Sequence, residues 1–226
     1  MAKTVSIAID GPAGAGKSTI ARRLAKELGY YYVDTGAIYR TVAYFLDLLG
    51  ISPKDVDGVE RYLDELTIQI EYDEEGKQHM LMNGMDVSDE IRTQDISQKA
   101  SLVSAHAIVR DMLLDMQRDV AKKHNVIMDG RDIGTVVLPK ATVKIFLTAS
   151  AEVRAKRRMD EMIAKGQKAN FEQVLKDIQQ RDYQDSNRPI APLKQAKDAV
   201  LLDTSDLDIE GVVAAMKDII GKKVSL

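Results

Sequence analysis

The sequence predicts an α/β fold in which a parallel β-sheet is flanked by helices, and three observations support this prediction. Short apolar runs rich in β-branched residues lie between stretches with helical periodicity, these runs lead into polar residues, and one further stretch breaks the alternation with a hairpin pattern. Continuous apolar strands separated by helices are typical of parallel sheets that are covered on both faces.

Five apolar runs are predicted to be the strands of this sheet: residues 4–9, 30–33, 126–128, 143–147 and 199–202. They lead into the residues Asp10, Asp34, Asp129, Thr148 and Asp203. Ligands of open α/β sheets bind beyond the carboxyl ends of the strands. We therefore expect the chemistry of the protein in the loops that begin at these positions.

Helices are predicted by their apolar periodicity for residues 17–28, 38–49, 53–65, 107–123, 151–165, 171–183 and 208–220. A glycine follows three of them, at Gly29, Gly50 and Gly166, where a residue that ends a helix usually lies. Asn170, with Gln173 three positions later, has the pattern of a capping box at the start of the helix at 171–183.

The stretch that breaks the alternation is predicted to be a β-hairpin. Ile68, Ile70 and Tyr72 alternate with polar residues, a turn signal follows at 73–76, and a second run comes after it. A third strand is predicted near residues 85–87. The fold would then carry a small antiparallel insertion beside its parallel sheet.

Composition limits the partners and the chemistry. The 32 basic and 35 acidic residues give a net charge of -3, so no general attraction to nucleic acid or to an anionic membrane is expected. The absence of cysteine excludes disulfides and thiolate catalysis. No apolar run approaches the roughly 20 residues of a spanning helix, and the N-terminal segment lacks the pattern of a signal peptide. We expect a soluble, cytoplasmic protein.

Residues 11–18 read GPAGAGKS and match the phosphate-loop pattern G-x-x-x-x-G-K-[ST] between a predicted strand and a predicted helix. Glycines let successive backbone N–H groups point at one anion, and the helix N-terminus adds partial positive charge. Lys17 is placed to reach the β- and γ-phosphates, and Ser18 to bind Mg²⁺. The full predicted ATP-binding set is Gly11, Pro12, Ala13, Gly14, Ala15, Gly16, Lys17, Ser18 and Thr19.

The acid that follows the strand at 126–128 is a second candidate for the metal. Asp129 has the position of a Walker B acid, which approaches Mg²⁺ directly or through water. The alternative is a structural aspartate at the turn that ends a strand. The predicted metal set is therefore Ser18 and Asp129. Taken by itself, the phosphate loop does not distinguish a kinase from a nucleotide-dependent switch.

Further motifs narrow the class of protein: DTGAIYR (34–40), SDEIRT (88–93), DGRDIGT (129–135), KIFLTASAEVRAKRR (144–158) and RDYQDSNRPIAPL (181–193). Together with the phosphate loop they closely resemble the bacterial cytidylate kinases over nearly the whole chain. The resemblance implies a P-loop nucleoside monophosphate kinase that transfers the γ-phosphoryl group of ATP to CMP or dCMP. It implies one unit with a core (1–37, 104–150 and 190–226), a monophosphate-binding region (38–103) that carries the insertion, and a lid with flanking helices (151–189).

The resemblance also assigns the CMP-binding residues: Thr35, Tyr39, Arg40, Ser101, Arg110, Arg131, Asp132, Asp185 and Arg188. Arg40, Arg131 and Arg188 would hold the acceptor phosphate. Asp185 would hold the ribose hydroxyl. Asp132 would accept a hydrogen bond from the cytosine amine, while Ser101 and Arg110 would donate to its other edge. Uracil carries an acceptor where cytosine has that amine, so the same pocket would disfavour it.

Taken without the resemblance, most of these residues have less specific interpretations. Arg40 is then a surface arginine on a helix, and Ser101 and Arg110 are ordinary helical surface residues. The adjacent charges of Arg131 and Asp132 are a solvated pair of little energetic consequence. Asp34 either begins a helix as its N-cap or orients Arg40 or the substrate.

The segment 152–161 is predicted to be a lid helix that binds an anion. Arg154 and Arg158 lie one turn apart, and like charges at that spacing repel each other. The alternative is a solvated helix face whose charges are balanced by neighbouring acids. With Arg181 and Arg188, Arg158 is predicted to converge on the transferred phosphoryl group. The predicted catalytic set is Lys17, Arg131, Arg158, Arg181 and Arg188.

The acceptor phosphate is already a nucleophile, so we expect no strong general base and no phosphoenzyme. The adenine is expected near residues 203–205. His79, His106 and His124 lack metal-ligand spacing and are interpreted as structural or exposed. The expected partners are ATP with Mg²⁺ and CMP or dCMP, in a monomer without nucleic acid or membrane.

Two other functions remain open at the level of sequence. Another small-acceptor P-loop kinase, of the uridylate, shikimate or dephospho-coenzyme A type, would keep residues 11–18 and need a different acceptor pocket. A non-catalytic nucleotide-binding switch would bind ATP without releasing ADP in response to an acceptor.

Overall fold

The computed structural model describes residues 4–224, and its main sheet confirms the predicted parallel fold. Five parallel strands lie in the order β2-β6-β1-β7-β8. Their bounds are β1 Ser6–Asp10, β2 Tyr31–Asp34, β6 Val126–Gly130, β7 Val143–Thr148 and β8 Val200–Asp203. Each predicted strand is present, and its ends differ from the predicted ones by at most two residues. The predicted core also includes residues 1–3 and 225–226, which lie outside the described part of the chain.

The predicted hairpin is also confirmed, as a second, antiparallel sheet. It consists of β3 Ile68–Tyr72, β4 Gln78–Met82 and β5 Met85–Asp86, in that order. Met80 and Met82 of β4 are buried and join the large core cluster on one face of the main sheet. The insertion is therefore packed against the core through alternate residues of its central strand.

Eight α-helices are found in residues 4–224: α1 Lys17–Leu28, α2 Thr35–Leu48, α3 Val56–Leu63, α4 Gln94–Val103, α5 Ala107–Lys123, α6 Ala151–Ala164, α7 Phe171–Asn187 and α8 Ile209–Gly221. The helix predicted to start at 38 begins at Thr35, because the Asp34 carboxylate accepts a hydrogen bond from the Ala37 N–H and caps it. The helix predicted to end at 183 continues to Asn187. The helix predicted for 53–65 is shorter, at 56–63.

α4 was not predicted, because its sequence QDISQKASLV has few apolar positions and only a weak helical stripe. Thr93 caps it by accepting from the Ile96 N–H. The predicted cap of α7 is present, since the Asn170 side chain accepts from the Gln173 N–H at 3.0 Å. A short 3₁₀ turn at 90–92 and a π-turn at 133–137 complete the regular structure.

The two faces of the main sheet bury separate apolar clusters. α1 and α8 cover one face with Ile20, Leu24, Val213 and Met216, which pack on the inner strands. The insertion and the helices α2, α4 and α5 cover the other face. A third, small cluster of Ala155, Val174 and Ile178 joins α6 to α7. α6 and α7 therefore pack on each other through a small apolar core of their own.

The strand order brings the predicted loops together at one edge. β6 lies between β2 and β1, and Asp34 of β2 is the register partner of Asp129 of β6. Asp10 of β1 is the register partner of Gly130. The residues that follow these strands therefore share a small space at their carboxyl ends. Within residues 4–224, no helix is both long enough and apolar enough to cross a bilayer.

Candidate functional site

The loop between β1 and α1 is shaped by glycines, one of which lies where a side chain would not fit and all of which have positive φ angles. Gly11 has a φ of 148°, and a Cβ atom added there would lie 1.9 Å from the carbonyl oxygen of Leu147 on β7. Gly14 and Gly16 have φ angles of 75° and 85°, in the left-handed region that favours glycine. The backbone can therefore curl tightly against the sheet before α1 begins at Lys17.

Lys17 is buried inside this loop. Its Nζ donates hydrogen bonds to the carbonyl oxygens of Gly11 at 2.8 Å and Pro12 at 2.7 Å. Burial, and then the positive charge of Arg131, lowers the pKa of Lys17 to about 7. The ammonium group thus lies in a site where a negative partner would be strongly favoured.

Ser18 and Asp129 meet beside Lys17. The Ser18 hydroxyl donates to Asp129 Oδ2 at 2.8 Å, and the Tyr32 hydroxyl donates to Asp129 Oδ1 at 2.9 Å. Burial, and then the charge of Asp34, raises the pKa of Asp129 to about 6. A hydroxyl and a carboxylate at this spacing form the hard oxygen set that Mg²⁺ uses together with phosphate oxygens. These residues fit Mg²⁺, and a cation there would also favour the ionised form of Asp129.

Asp34 fulfils both of the alternatives that its sequence position left open. One oxygen caps α2 through the Ala37 N–H at 2.9 Å, and the other accepts from Arg40 Nη2 at 2.9 Å. Burial opposes its ionisation, but the Arg40 charge and the Ala37 N–H hold the pKa of Asp34 below its usual value. Thr35, the first residue of α2, donates to the carbonyl oxygen of Asp129 at 2.8 Å.

Arg131 and Asp132 do not form the solvated pair that their adjacency suggested, because both are drawn inward to other partners. Arg131 Nε donates to Asp185 Oδ2 of α7 at 2.7 Å. Burial opposes its charge, but Asp185 holds the pKa of Arg131 above its usual range. Ser101 Oγ of α4 donates to the other oxygen of Asp185 at 3.3 Å. Asp185 therefore links α7 to the loop after β6.

Asp132 lies between two arginines. Arg110 Nη2 donates to one of its oxygens and Arg188 Nη2 to the other, the latter at 3.0 Å. Arg188 also donates to Ser104 Oγ at 3.1 Å, and the Arg110 guanidinium lies 5.6 Å from the centre of the Tyr39 ring. The interpretation of Arg110 as a surface residue is wrong, because Arg110 is only 6% exposed and Asp132 neutralises its charge.

A second group of arginines carries excess positive charge. Burial, and then the charges of Arg131, Arg40 and Arg158, lowers the pKa of Arg181 to about 10. The Nε atoms of Arg40 and Arg181 are buried and lack a hydrogen-bond partner within the described structure. Buried N–H donors that are left unpaired cost free energy. An anion bound beside these arginines would offset their repulsion.

The predicted repulsion between Arg154 and Arg158 is absent, because only Arg158 faces solvent. The Arg154 side chain is 6% exposed; its Nη2 pairs with Asp182 of α7 at 2.7 Å and its Nη1 donates to the carbonyl oxygen of Ala13 at 3.0 Å. The Arg158 side chain is 41% exposed and contacts Glu161 at 3.3 Å. Of the pair, Arg158 alone has a weakly held charge next to the arginine group.

The predicted site residues are thus brought to one edge of the sheet as two sets. Lys17, Ser18 and Asp129 lie at the phosphate loop, with Arg40, Arg131 and Arg181 next to them. Arg188, predicted to lie with Arg158 and Arg181, instead joins Asp132. Ala13 and Ala15 lie in the loop that leads into α1, and Thr19 lies in the first turn of that helix.

Sequence reasoning missed the role of Arg154 and two other polar residues, Tyr32 and Gln78, whose side chains reach the site residues Asp129 and Asp34. Tyr32 lies in an apolar run and Gln78 in the hairpin, so the local pattern around each gave no signal of a site. The position of Tyr32 follows from the pairing of β2 with β6, and that of Gln78 from the packing of the insertion on β2.

The histidines lie away from this site, as expected. His79 contacts the carboxylates of Asp73 and Asp86, His106 contacts the carbonyl oxygen of Pro53, and His124 packs beside Tyr31. In the part of the chain that is described, no group of at least three His, Cys, Asp or Glu side chains could hold a metal ion. A metal held by Ser18 and Asp129 would complete its ligands with water or with oxygens of a bound molecule.

Comparison with known proteins gives consistent results. A family model described as cytidylate kinase matches residues 7–222. A cytidylate kinase of Carboxydothermus hydrogenoformans is 51% identical over 217 residues, which cover 96% of this chain and 97% of that protein. One from an Exiguobacterium species is 48% identical over 220 residues, covering 97% and 98%. A solved structure of an uncharacterized protein from Eubacterium ventriosum has a TM-score of 0.51 at 14% identity, covering 96% and 99%, a likeness of fold alone.

Proposed function

The chain belongs to the cytidylate kinase family, and from this premise we propose that its site transfers the γ-phosphoryl group of ATP to CMP and dCMP in one in-line step. The family makes the chain a P-loop kinase that phosphorylates CMP. The observation that carries the proposal for the site is the second cluster of positive charge. Arg40, Arg131 and Arg181 lie beside the phosphate loop, so the chain has places for two phosphate groups. A nucleotide switch needs only one such place.

On the donor side, residues 11–19 would hold the triphosphate of ATP. The N–H groups of the loop and the N-terminus of α1 would bind the phosphate oxygens, and Lys17 would move from the Gly11 and Pro12 carbonyls to the β- and γ-phosphates. Ser18 and Asp129 would hold Mg²⁺, which neutralises phosphate charge when bound. Residues 203–205 stay our proposal for the vicinity of the adenine.

On the acceptor side, Arg40 and Arg131 would grip the phosphate of CMP, because a guanidinium can bind two phosphate oxygens at once. Asp185 would exchange part of its contact with Arg131 for the ribose hydroxyl. The Arg110–Asp132–Arg188 group, with Ser101, Tyr39 and Thr35 nearby, would form the base side of the pocket, and Arg188 would turn from Asp132 toward the phosphate. No strong base is needed, and the protein supplies alignment and charge neutralisation.

The division of the chain remains a proposal too. The separate small core of α6 and α7 supports a lid at 151–189, and the packing of the antiparallel sheet supports a monophosphate-binding region at 38–103. Closing of the lid would exclude water, which would otherwise accept the phosphoryl group from ATP.

A panel of acceptors tests the function. ADP release from ATP is measured with purified protein and CMP, dCMP, UMP, AMP, shikimate or dephospho-coenzyme A. We expect CMP and dCMP to give the highest kcat/KM. A higher value for another acceptor would assign the pocket to a different small-acceptor kinase, and ADP release that no acceptor stimulates would indicate a switch.

The lowered pKa of Lys17 predicts that ATP binding takes up a proton. At pH 8 an amine with a pKa of about 7 is mostly neutral, and the charge of the phosphates raises this pKa on binding. Calorimetry at pH 8 in two buffers of different ionisation enthalpy should give an uptake of about one proton per ATP. Lys17→Met should abolish the uptake. An equal uptake in both proteins would assign the proton to another group.

Arg158 is predicted to act late in the reaction. Its contact with Glu161 is long and exposed, so closing of the lid could move it to the transferred group at little cost. Arg158→Ala should lower kcat about tenfold while KM for CMP changes less, since a contact made only in the transition state affects kcat. Lys156→Ala, which removes an exposed charge on the same helix, is the control. A change in KM alone would make Arg158 an ordinary binding residue.

A further inference from the structure

The insertion sheet contacts the site through one pair of residues at the end of its hairpin. Tyr72 of β3 and Gln78 of β4 are register partners across the strands, next to the turn. Both side chains reach β2, which is the edge strand of the main sheet. The Tyr72 hydroxyl donates to the carbonyl oxygen of Tyr32 at 2.9 Å. The hairpin therefore covers the open side of β2 with side chains in place of a neighbouring strand.

Gln78 holds the residue at which β2 ends. Its Oε1 accepts from the backbone N–H of Asp34 at 2.7 Å, and its Nε2 lies 3.5 Å from the carbonyl oxygen of the same residue. Gln78 is 7% exposed. One side-chain amide thus pairs with both backbone groups of Asp34, as the peptide of an adjacent strand would do.

The side chain of Asp34 connects the residue that Gln78 holds to the site. Asp34 caps α2 and fixes the direction of its first turn, and its Oδ2 accepts from Arg40, whose Nε has no partner in the described structure. A shift of the Asp34 backbone would change both the cap and the guanidinium that Asp34 holds. Gln78 itself contacts neither Arg40 nor the phosphate loop through a hydrogen bond.

We propose that Gln78 is a positioning residue for the acceptor phosphate, because it fixes Asp34 and, through Asp34, the guanidinium of Arg40. This inference rests on the proposed role of Arg40. It gives the insertion a definite part in the reaction, since the cross-strand pair of Tyr72 and Gln78 transmits the position of the hairpin to the residue that binds the acceptor.

Steady-state kinetics of Gln78→Leu test the inference. KM for CMP should rise about fivefold to tenfold, as expected when a buried hydrogen bond is lost. KM for ATP should stay the same and kcat should change less, whereas a general loss of structure would affect all three. Gln69→Leu, the same substitution at an exposed position of β3, is the matched control and should leave both KM values unchanged.

A double-mutant cycle with Arg40→Ala separates this inference from the proposed function. Since Gln78 acts through Arg40, adding Gln78→Leu to Arg40→Ala should raise KM for CMP little further. If the two substitutions raise KM for CMP independently, so that their factors multiply in the double variant, the inference is overturned. It is also overturned if Arg40→Ala raises KM for CMP and Gln78→Leu leaves it unchanged. An unchanged KM in Arg40→Ala would overturn the role of Arg40 itself. If Gln78→Leu does not fold, Tyr72→Phe, which removes one hydroxyl from the same pair, is measured with the same criteria.

Discussion

Lys17→Met should lower kcat by at least about 100-fold, the scale of losing one well-placed charge donor. Lys17 is the buried cation of the phosphate loop, and its Nζ, which the carbonyls of Gly11 and Pro12 hold in this structure, is proposed to move to the phosphate oxygens when ATP binds. Methionine has a similar length and fills the same volume without a charge or a donor. The developing negative charge in the transition state would then have no direct partner in the loop.

Folding of the variant without nucleotide should be nearly unchanged. The lowered pKa of Lys17 shows that burying its charged form is unfavourable. An apolar side chain removes this cost, and the gain offsets the loss of the two hydrogen bonds to Gly11 and Pro12. Lys26→Met, at an exposed position of the same helix, is the matched control and should retain full activity. A kcat close to that of the unmodified protein in Lys17→Met would refute the assignment of the phosphate loop as the donor site.

Asp132→Asn should reduce the preference for CMP over UMP, measured as the ratio of kcat/KM, by about tenfold or more. Asp132 is proposed to accept a hydrogen bond from the cytosine amine, and an amide in its place can donate to the carbonyl of uracil. The amide oxygen can still accept from the cytosine amine but carries no negative charge, and a hydrogen bond to a charged group contributes about 1.5–3 kcal/mol against about 0.5–1.5 kcal/mol for a neutral one. A difference of about 1.4 kcal/mol corresponds to a tenfold change. Activity with CMP should therefore fall, and activity with UMP should fall less or rise.

The structure adds a second effect to this prediction. Asp132 neutralises Arg110 and Arg188, so the variant leaves two buried guanidinium groups short of one negative charge. The unfolding midpoint of Asp132→Asn should decrease, while that of the exposed Asp115→Asn should not. Equal losses for CMP and UMP would show that Asp132 acts only by holding the two arginines. Asp132 would then have no role in recognising the cytosine base, and the assignment of the protein as a kinase would remain.

The sequence predicted the parallel sheet and the insertion well, because buried strands and a half-buried hairpin have distinct periodicities. The phosphate loop was also predictable, since its glycines and Lys17 are consecutive in the chain. The partners of Arg131 and Asp132 were not. Asp185 and Arg188 lie more than fifty residues away, and only the docking of α7 on the sheet brings them into contact.

Arg154 shows that a local sequence pattern can also predict an interaction that the structure lacks. Its spacing from Arg158 on one helix predicted repulsion, because a local pattern describes neighbours along a helix and not those across an interface. Asp182, on the next helix, removes that repulsion. Likewise, nothing near Gln78 in the sequence shows that its amide faces the backbone of Asp34. Contacts between residues far apart in the sequence therefore determine which arginines of a basic segment are already paired and which can bind a ligand.

The contacts of Arg154 have a mechanical consequence. Its Nε donates to Ala149, its Nη1 to Ala13 in the phosphate loop, and its Nη2 pairs with Asp182. The first turn of α6 is thereby fastened to the donor loop and to α7 at one point. In the closing motion proposed for residues 151–189, this point would be the pivot, and the displacement would grow with distance along α6. Arg158, one turn farther out, would therefore move more than Arg154, which stays bound to the phosphate loop.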